Sequence, residues 1–302
     1  MSVSTVSVEG EHTIHCCGAK VRVSRKSIDV LTEPTVNYCP LHEALYGTKG
    51  IDKKSVSESV KAKIANFGFC CANRLFDDES IVPYGASEMM KVWLNKGLID
   101  CAVIVCEGAG TVITSNGRLV QSIGARLTGI VKTSPIPKII EQIRADKGIV
   151  LDEATALINQ AEGLKRAISM GHKRIAISIA GFQAKTIGEI RKIEANSPVD
   201  ILVFSVCNTC VDEAAVKHIR RADIACASAS KLLRTEVGGE ALLQLGVTIP
   251  VFALTEKGKR LVLAYLSEFK DRLVVFRVKE LPYQAENKGP RLKGSELAEK
   301  SG

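Results

Sequence analysis

The segment RIAISIAGFQAKTIGEIRKIEANSPVDILVFSVC, Arg174 to Cys207, decides the fold. Its two ends, RIAISIAG (Arg174 to Gly181) and DILVFSVC (Asp200 to Cys207), are nearly continuous in Val, Ile and Ala, the texture of strands buried on both faces. Between them KTIGEIRKIEAN has helical spacing and stops ahead of Pro198, because proline cannot continue a helix. Strand, helix and strand in that order make a βαβ unit, the building block of a parallel sheet covered by helices.

The same alternation extends outward. Further strand candidates are DCAVIVCEG (Asp100 to Gly108), DIACASA (Asp223 to Ala229), VTIPVFAL (Val247 to Leu254) and RLVVFRV (Arg272 to Val278). In ATALINQAEGLKRAISMG, Leu157, Ala161, Leu164 and Ile168 recur at helical spacing and Gly171 supplies a stop. The expected fold is α/β, a mostly parallel sheet with flanking helices over residues 85–280. Residues 1–84 read as a smaller Cys/His-rich N-terminal module and 281–302 as a flexible polar tail.

Composition narrows the function classes. The 302 residues are 46% apolar and 25% charged, and no uninterrupted apolar run reaches the roughly 18–20 residues a bilayer span requires. The start, MSVSTVSVEGEH, has neither a basic region nor an apolar core, so no secretory signal is visible and a cytoplasmic address is expected. Net charge is +8, but the basic residues are scattered among acidic ones and only 5% of residues are aromatic. Neither nucleic acid nor membrane is therefore expected as a partner. Ten cysteines are many for such a chain; in a reducing compartment they read as metal ligands, reactive thiols or small buried apolar side chains, and not as disulfides.

Open parallel sheets bind ligands beyond the carboxyl ends of their strands. The loop SVCNTCVDE places Cys207 and Cys210 there as a C-x-x-C pair ahead of a helix, where the dipole favours thiolate; these are the candidate catalytic thiols. Cys106 and Cys226 lie at other strand ends. A small anionic ligand would find backbone room at Gly108 and Gly110 of CEGAG, and a cradle at Ser228, Ser230 and Lys231 of ASASK. A plain turn and a serine N-cap account for the same residues. Glu107 at a strand end is a candidate general base, and Arg126 and Lys132 are candidate anion partners.

The N-terminal module gathers soft donors: His12, His15, Cys16 and Cys17, then Cys39 and His42 in CPLH, then Cys70 and Cys71. Thiolate with imidazole suits zinc or an iron–sulfur cluster. Strand alternation predicts that adjacent Cys16 and Cys17 face opposite sides, with Cys17 beside Gly18 as the ligand. The expected metal set is Cys17, Cys39, His42, Cys70 and Cys71.

The strings HCCGAKVRVS, YGTKGIDKKSV, FGFCCANRLF, GARLTGIVKTSPI, FSVCNTC, ASASKLLR and QLGVTIPVFALT together resemble the methanogenesis marker protein 8 family over residues 11–270. That family is named for its distribution among methane-forming archaea, so the resemblance brings a setting and no site residues. It implies an anaerobic cytoplasm, favours an iron–sulfur cluster over zinc, and suggests methyl-coenzyme M reductase or its assembly factors as partners. The functions expected are metal-dependent maturation or redox activation of the methane-forming machinery, an enzyme acting on a small anionic or thiol cofactor, or an assembly scaffold.

Overall fold

The computed structural model describes residues 7–125, 129–283 and 289–293. It begins with a hairpin of β1 (Glu11–Cys16) and β2 (Ala19–Ser24), closed by Cys17 and Gly18, whose φ values are 52° and 78°. Two positive φ values in a two-residue loop match the twist of the flanking strands, and glycine supplies the second without strain. β3 (Ile28–Val30) continues the meander. After β4 (Val36–Tyr38) come α1 (Pro40–Tyr46) and α2 (Lys53–Phe67).

Helix α2 starts in a reciprocal capping box between Asp52 and Ser55 and stops at Gly68, φ 65°. Val56, Val60 and Ile64, one turn apart, bury against Ile14, Val21 and Val23 of the hairpin. The charged Lys63 lies on this same apolar stripe and is half-buried.

The rest of the chain builds the large sheet. In order come α3 (Ala86–Asn95), β5 (Cys101–Cys106), β6 (Gly110–Thr114), α4 (Gly117–Gly124), β7 (Gly129–Lys132), α5 (Pro137–Ala145) and β8 (Ile149–Val150). There follow α6 (Gln160–Ser169), β9 (Arg174–Ala180), α7 (Lys185–Ala195), β10 (Asp200–Val206), α8 (Glu213–Ile219), β11 (Ile224–Cys226), β12 (Leu243–Leu245), β13 (Val251–Ala253) and α9 (Glu256–Leu266). The strand order is β12-β13-β11-β10-β9-β5-β6-β8. Its centre, β5, β9, β10 and β11, is parallel, and the outer strands run antiparallel.

One face packs on Trp93, Leu119 and Val262 from α3, α4 and α9, the other on Leu164, Ile187 and Ile219 from α6, α7 and α8. The fold is thus the expected α/β class, with a separate small antiparallel sheet at the N-terminus. No helix among the described residues is long and apolar enough to cross a membrane.

Four features differ from the sequence expectations. GTVIT, taken as loop, is strand β6, so CEGAG is a hairpin turn. RLVVFRV is not a strand: Val274 and Val275 are 87% and 86% exposed and no strand pairs with them among the described residues, since β-branched composition needs a partner edge to become a ladder. Most consequential, β7 leaves the large-sheet region to pair with β1, completing a small sheet of order β3-β2-β1-β7. Within the expected tail, β14 (Arg291–Leu292) pairs with β4.

Candidate functional site

Because the hairpin loop is only two residues long, Cys17 sits outside β1 and strand alternation does not separate it from Cys16. Instead the Cys17 thiol donates to the Cys16 sulfur. That hydrogen bond, helped by the charge of Lys63 and the Ser59 hydroxyl and opposed by burial, pulls the Cys16 thiol down to about 6. Ser59 Oγ is 3.9 Å from Cys16 Sγ. Cys17 is pushed well up, first by its bond to Cys16 and then by burial. Cys17 is the ligand expected from sequence; in this turn its neighbour Cys16 is the thiol whose ionised form is favoured.

Lys63 supplies this positive charge from the buried stripe of α2, with its Nζ 5.8 Å from the Phe69 ring centroid. Burial lowers its pKa, while Cys16, Cys17, Glu107 and Cys207 raise it. Burial pushes the Cys207 thiol up to about 12.

The loop after β10 is fixed by its central residue. Asn208 is fully buried; its Oδ1 accepts from Ser205 Oγ at 2.9 Å, its Nδ2 donates to the Cys226 carbonyl at 2.8 Å, and its backbone N–H donates to Ser228 Oγ. Cys207, Cys210 and Ser228 all carry left-handed backbone, φ 52°, 53° and 49°. Non-glycine residues held there store strain of about 1–3 kcal/mol each, a cost that clusters at functional sites.

Both expected cysteine groups meet at this edge. Cys210 Sγ lies 3.1 Å from Thr35 Oγ1, and Thr35 packs against Gly18 of the hairpin turn. A Cβ placed on Gly129 of β7 would come 2.9 Å from Phe182, 3.4 Å from His15 and 3.6 Å from Cys207. The small sheet is thereby pressed onto the carboxyl ends of β9 and β10.

Cys39 caps α1 and sits close enough to Cys17 to affect its ionisation. His42, one turn on, is 5% exposed and stacks on Tyr46 at 4.9 Å, and neither ring nitrogen has a hydrogen-bond partner in the structure. Burial lowers its pKa, and the charge of Lys63 adds to the effect.

Cys70 and Cys71 lie in the core cluster against which Cys16, Cys17 and Cys39 pack. Cys70 is fully buried beside Glu107 and Cys106, with burial raising its thiol well above the ordinary range, and Cys71 is pushed up to about 11 by burial. Of the expected set Cys17, Cys39, His42, Cys70 and Cys71, the four cysteines share one core cluster, Cys70 and Cys71 at its buried centre. Among the described residues no three His, Cys, Asp or Glu side chains gather in a way that could hold a metal ion. Cys17, Cys39 and His42 have the soft-donor chemistry for one, but they do not enclose it as they stand.

Glu107, a candidate base, is locked into an ion pair: Arg74 Nε lies 2.6 Å from its Oε1, with both side chains essentially inaccessible. The remaining guanidinium nitrogens donate to the Leu75, Ser122 and Ile123 carbonyls. His12 bridges the Glu9 carbonyl and Thr133 Oγ1 at 2.7 and 2.6 Å, and the Gly108 N–H donates to that same hydroxyl.

Gly108 and Gly110 are buried in the β5–β6 turn against Ile136, Ile139 and Ala156. The start of α5 does lie beside Gly108, but there the Ile136 N–H donates to the Gly108 carbonyl at 2.8 Å, and the positive φ of both glycines serves the turn. Ser230 Oγ accepts from the Leu233 N–H, an N-cap role, and Lys231 is exposed. Lys132 is exposed on β7, and Arg126 lies outside the described residues.

Lys63, Ser59, Thr35 and Asn208 were not singled out in the sequence. Lys63 left a readable signal, a lysine at the buried helical spacing of Val56, Val60 and Ile64. Thr35 and Asn208 left none, since their roles depend on which loops meet.

Residues 12–267 match the family DUF2099, described as an uncharacterized protein conserved in archaea. A relative from Methanocaldococcus jannaschii, Uncharacterized protein MJ0054, is similar at 38% identity over 279 residues, covering 91% of this chain and 97% of that one.

Proposed function

The chain belongs to this archaeal family, and from that premise we propose that Cys16, at the end of β1, is a thiolate centre for thiol–disulfide exchange. The observation that carries the reading is the Cys16 sulfur beside Cys17 in the turn and 3.9 Å from the Ser59 hydroxyl on α2, with the Lys63 charge favouring its ionised form. A thiolate, not a thiol, is the nucleophile in exchange, and a pKa near ambient pH gives the best compromise between ionised fraction and intrinsic reactivity.

Cys16 attacks one sulfur of a disulfide R–S–S–R, forming Cys16–S–S–R and releasing R–S⁻, which takes its proton from water. Lys63 holds the negative charge at Cys16 before attack, and Cys17 keeps its own proton in the hydrogen bond. Cys39, Cys207 and Cys210 are further thiols of the same region.

The finer family reading, methanogenesis marker protein 8, gives this chemistry its setting: redox activation or maturation of the methane-forming machinery in an anaerobic cytoplasm, with methyl-coenzyme M reductase or its assembly factors as acceptors. Single-turnover reaction with a small disulfide, followed by intact mass, tests the centre. A mixed disulfide on Cys16 that forms with an apparent pKa near 6 supports it. Equal adduct formation by Cys16→Ser ends it.

A second reading is a soft-metal or iron–sulfur site, favoured by one specific observation, the buried and unpartnered ring of His42. Cys17, Cys39 and His42 would hold the group, with Cys16 at hand, and it would supply Lewis-acid or one-electron chemistry. Anaerobic purification with iron, zinc and acid-labile sulfide analysis tests it; folded protein without any of these refutes it.

A further inference from the structure

The segment RLVVFRV, Arg272 to Val278, runs without a turn or bend between α9 and Tyr283, and each residue from Arg272 to Arg277 is exposed. Val274 and Val275 are 87% and 86% exposed, and Phe276 is 57% exposed. Among the described residues no backbone hydrogen bond joins this arm to the body of the protein. An apolar, β-branched run left bare, with its N–H and C=O groups unpaired, is a template for another strand.

The arm is held at both ends. Phe269 stacks on Tyr84 with ring centroids 5.7 Å apart. Tyr283 exchanges two hydrogen bonds with Gln244 of the edge strand β12, its N–H donating to Oε1 at 2.9 Å and its carbonyl accepting from Nε2 at 2.7 Å. Phe276 packs edge-on against the Tyr283 ring, centroids 5.0 Å apart. The adjoining residues 284–288 lie outside the described ones, and their sequence, QAENK, has no apolar side chain larger than alanine to cover the arm. An arm fixed at both ends has already given up part of the freedom that pairing costs.

The charges around the arm decide which strand fits it. A symmetric antiparallel pair centres on one residue, because directly opposed residues share a face. Centred on Val275, two copies set Val274 opposite Phe276, Asp271 opposite Lys279 and Lys270 opposite Glu280, each twice by symmetry. Centring on Val274 sets Glu280 against Glu268, and centring on Phe276 sets Lys279 against Leu273. None of Lys270, Asp271, Lys279 and Glu280 is in an ion pair among the described residues.

We infer that residues 272–278 are a dimerisation strand, which pairs, antiparallel and centred on Val275, with the same strand of a second copy of this chain. Opposite charges across such a pair favour it and like charges oppose it, so the segment specifies its own partner and register. The strand is shorter than the roughly 20–30 residues a side of a standard interface, so dissociation in about the micromolar range is expected. The inference does not rest on the thiolate reading.

The test is sedimentation velocity of the full chain in excess reductant, which removes chance disulfides between its cysteines. The mass should rise from 32.5 kDa at low concentration to twice that value by about 100 µM. Val275→Lys sets like charges at the centre of the pair and should hold the chain at the smaller mass. Asp271→Lys should weaken the dimer about tenfold through two like-charge pairs, and Lys279→Asp by a similar factor. Asp271→Lys combined with Lys279→Asp should return the dimer to within a few-fold of the parent. All three positions are exposed, and thermal unfolding of each variant confirms that folded proteins are compared.

A chain that stays at the smaller mass throughout overturns the assignment; if that monomer floats with anionic phospholipid vesicles, the arm belongs to a lipid surface instead. A dimer that Val275→Lys leaves intact, or one that the double variant fails to restore, overturns it as well.

Discussion

The Cys210 sulfur stands 3.1 Å from the hydroxyl of Thr35, a contact between residues 175 positions apart. Thr35 also packs on Gly18, and the Val36 N–H donates to the Cys17 carbonyl. A single threonine therefore ties the hairpin thiols to the C-x-x-C loop and makes their spacing a property of the whole fold.

Cys16 should be distinguishable by its ionisation. Limited alkylation between pH 5 and 9, read by peptide mass spectrometry, should show Cys16 reacting with an apparent pKa near 6. Cys17→Ala and Lys63→Met should each move that midpoint upward, toward the roughly 8.5 of an ordinary cysteine. Loss of the thiol donor should have the larger effect, because that hydrogen bond is the leading cause of the shift.

Breaking the Arg74–Glu107 pair should be severe. Arg74→Met leaves a buried carboxylate unpaired and should cost about 3–5 kcal/mol in urea unfolding. Combining it with Glu107→Leu removes the orphaned charge and should recover much of that loss. The pair joins the segment after α2 to the β5–β6 turn, so the single variant should also weaken the seat of the small sheet.

Acidification should destabilise the protein through its histidines. His12, His15 and His42 all have pKa values lowered from 6.5, in each case chiefly by burial. For a depressed folded value, the unfolded chain binds more protons as pH falls, so their contribution is full above 6.5 and is lost below it. The urea midpoint should fall between pH 7.5 and 5.5, and a variant with His12→Asn should show a shallower dependence.

The hairpin turn should not tolerate a side chain at its second position. Gly18 has φ 78°, and an added Cβ would run into Thr35 Oγ1. Gly18→Ala should cost about 1–3 kcal/mol. It should also raise the Cys16 midpoint in the alkylation assay, because the Cys17 donor is placed by that turn.

The parallel centre was legible because strands buried on both faces must be apolar throughout, as in Arg174–Ala180 and Asp200–Val206. β6 and β7 escaped for different reasons. GTVIT follows the glycines of CEGAG, which read equally well as a ligand loop, and GIVK is four residues whose partner lies over a hundred positions upstream. At the site, Cys207 and Cys210 do lie beyond a strand end. What could not be read was which groups surround each thiol. That depends on a two-residue turn, a lysine on an apolar stripe and the docking of one sheet upon another.

The pairing of β7 with β1 has a bearing on how the protein is made. Glu11–Cys16 leaves the ribosome long before Gly129–Lys132, so during synthesis the first strand waits with one edge open. The contact of Cys210 with Thr35 comes later still. The thiols of the turn thus spend much of translation outside their final surroundings.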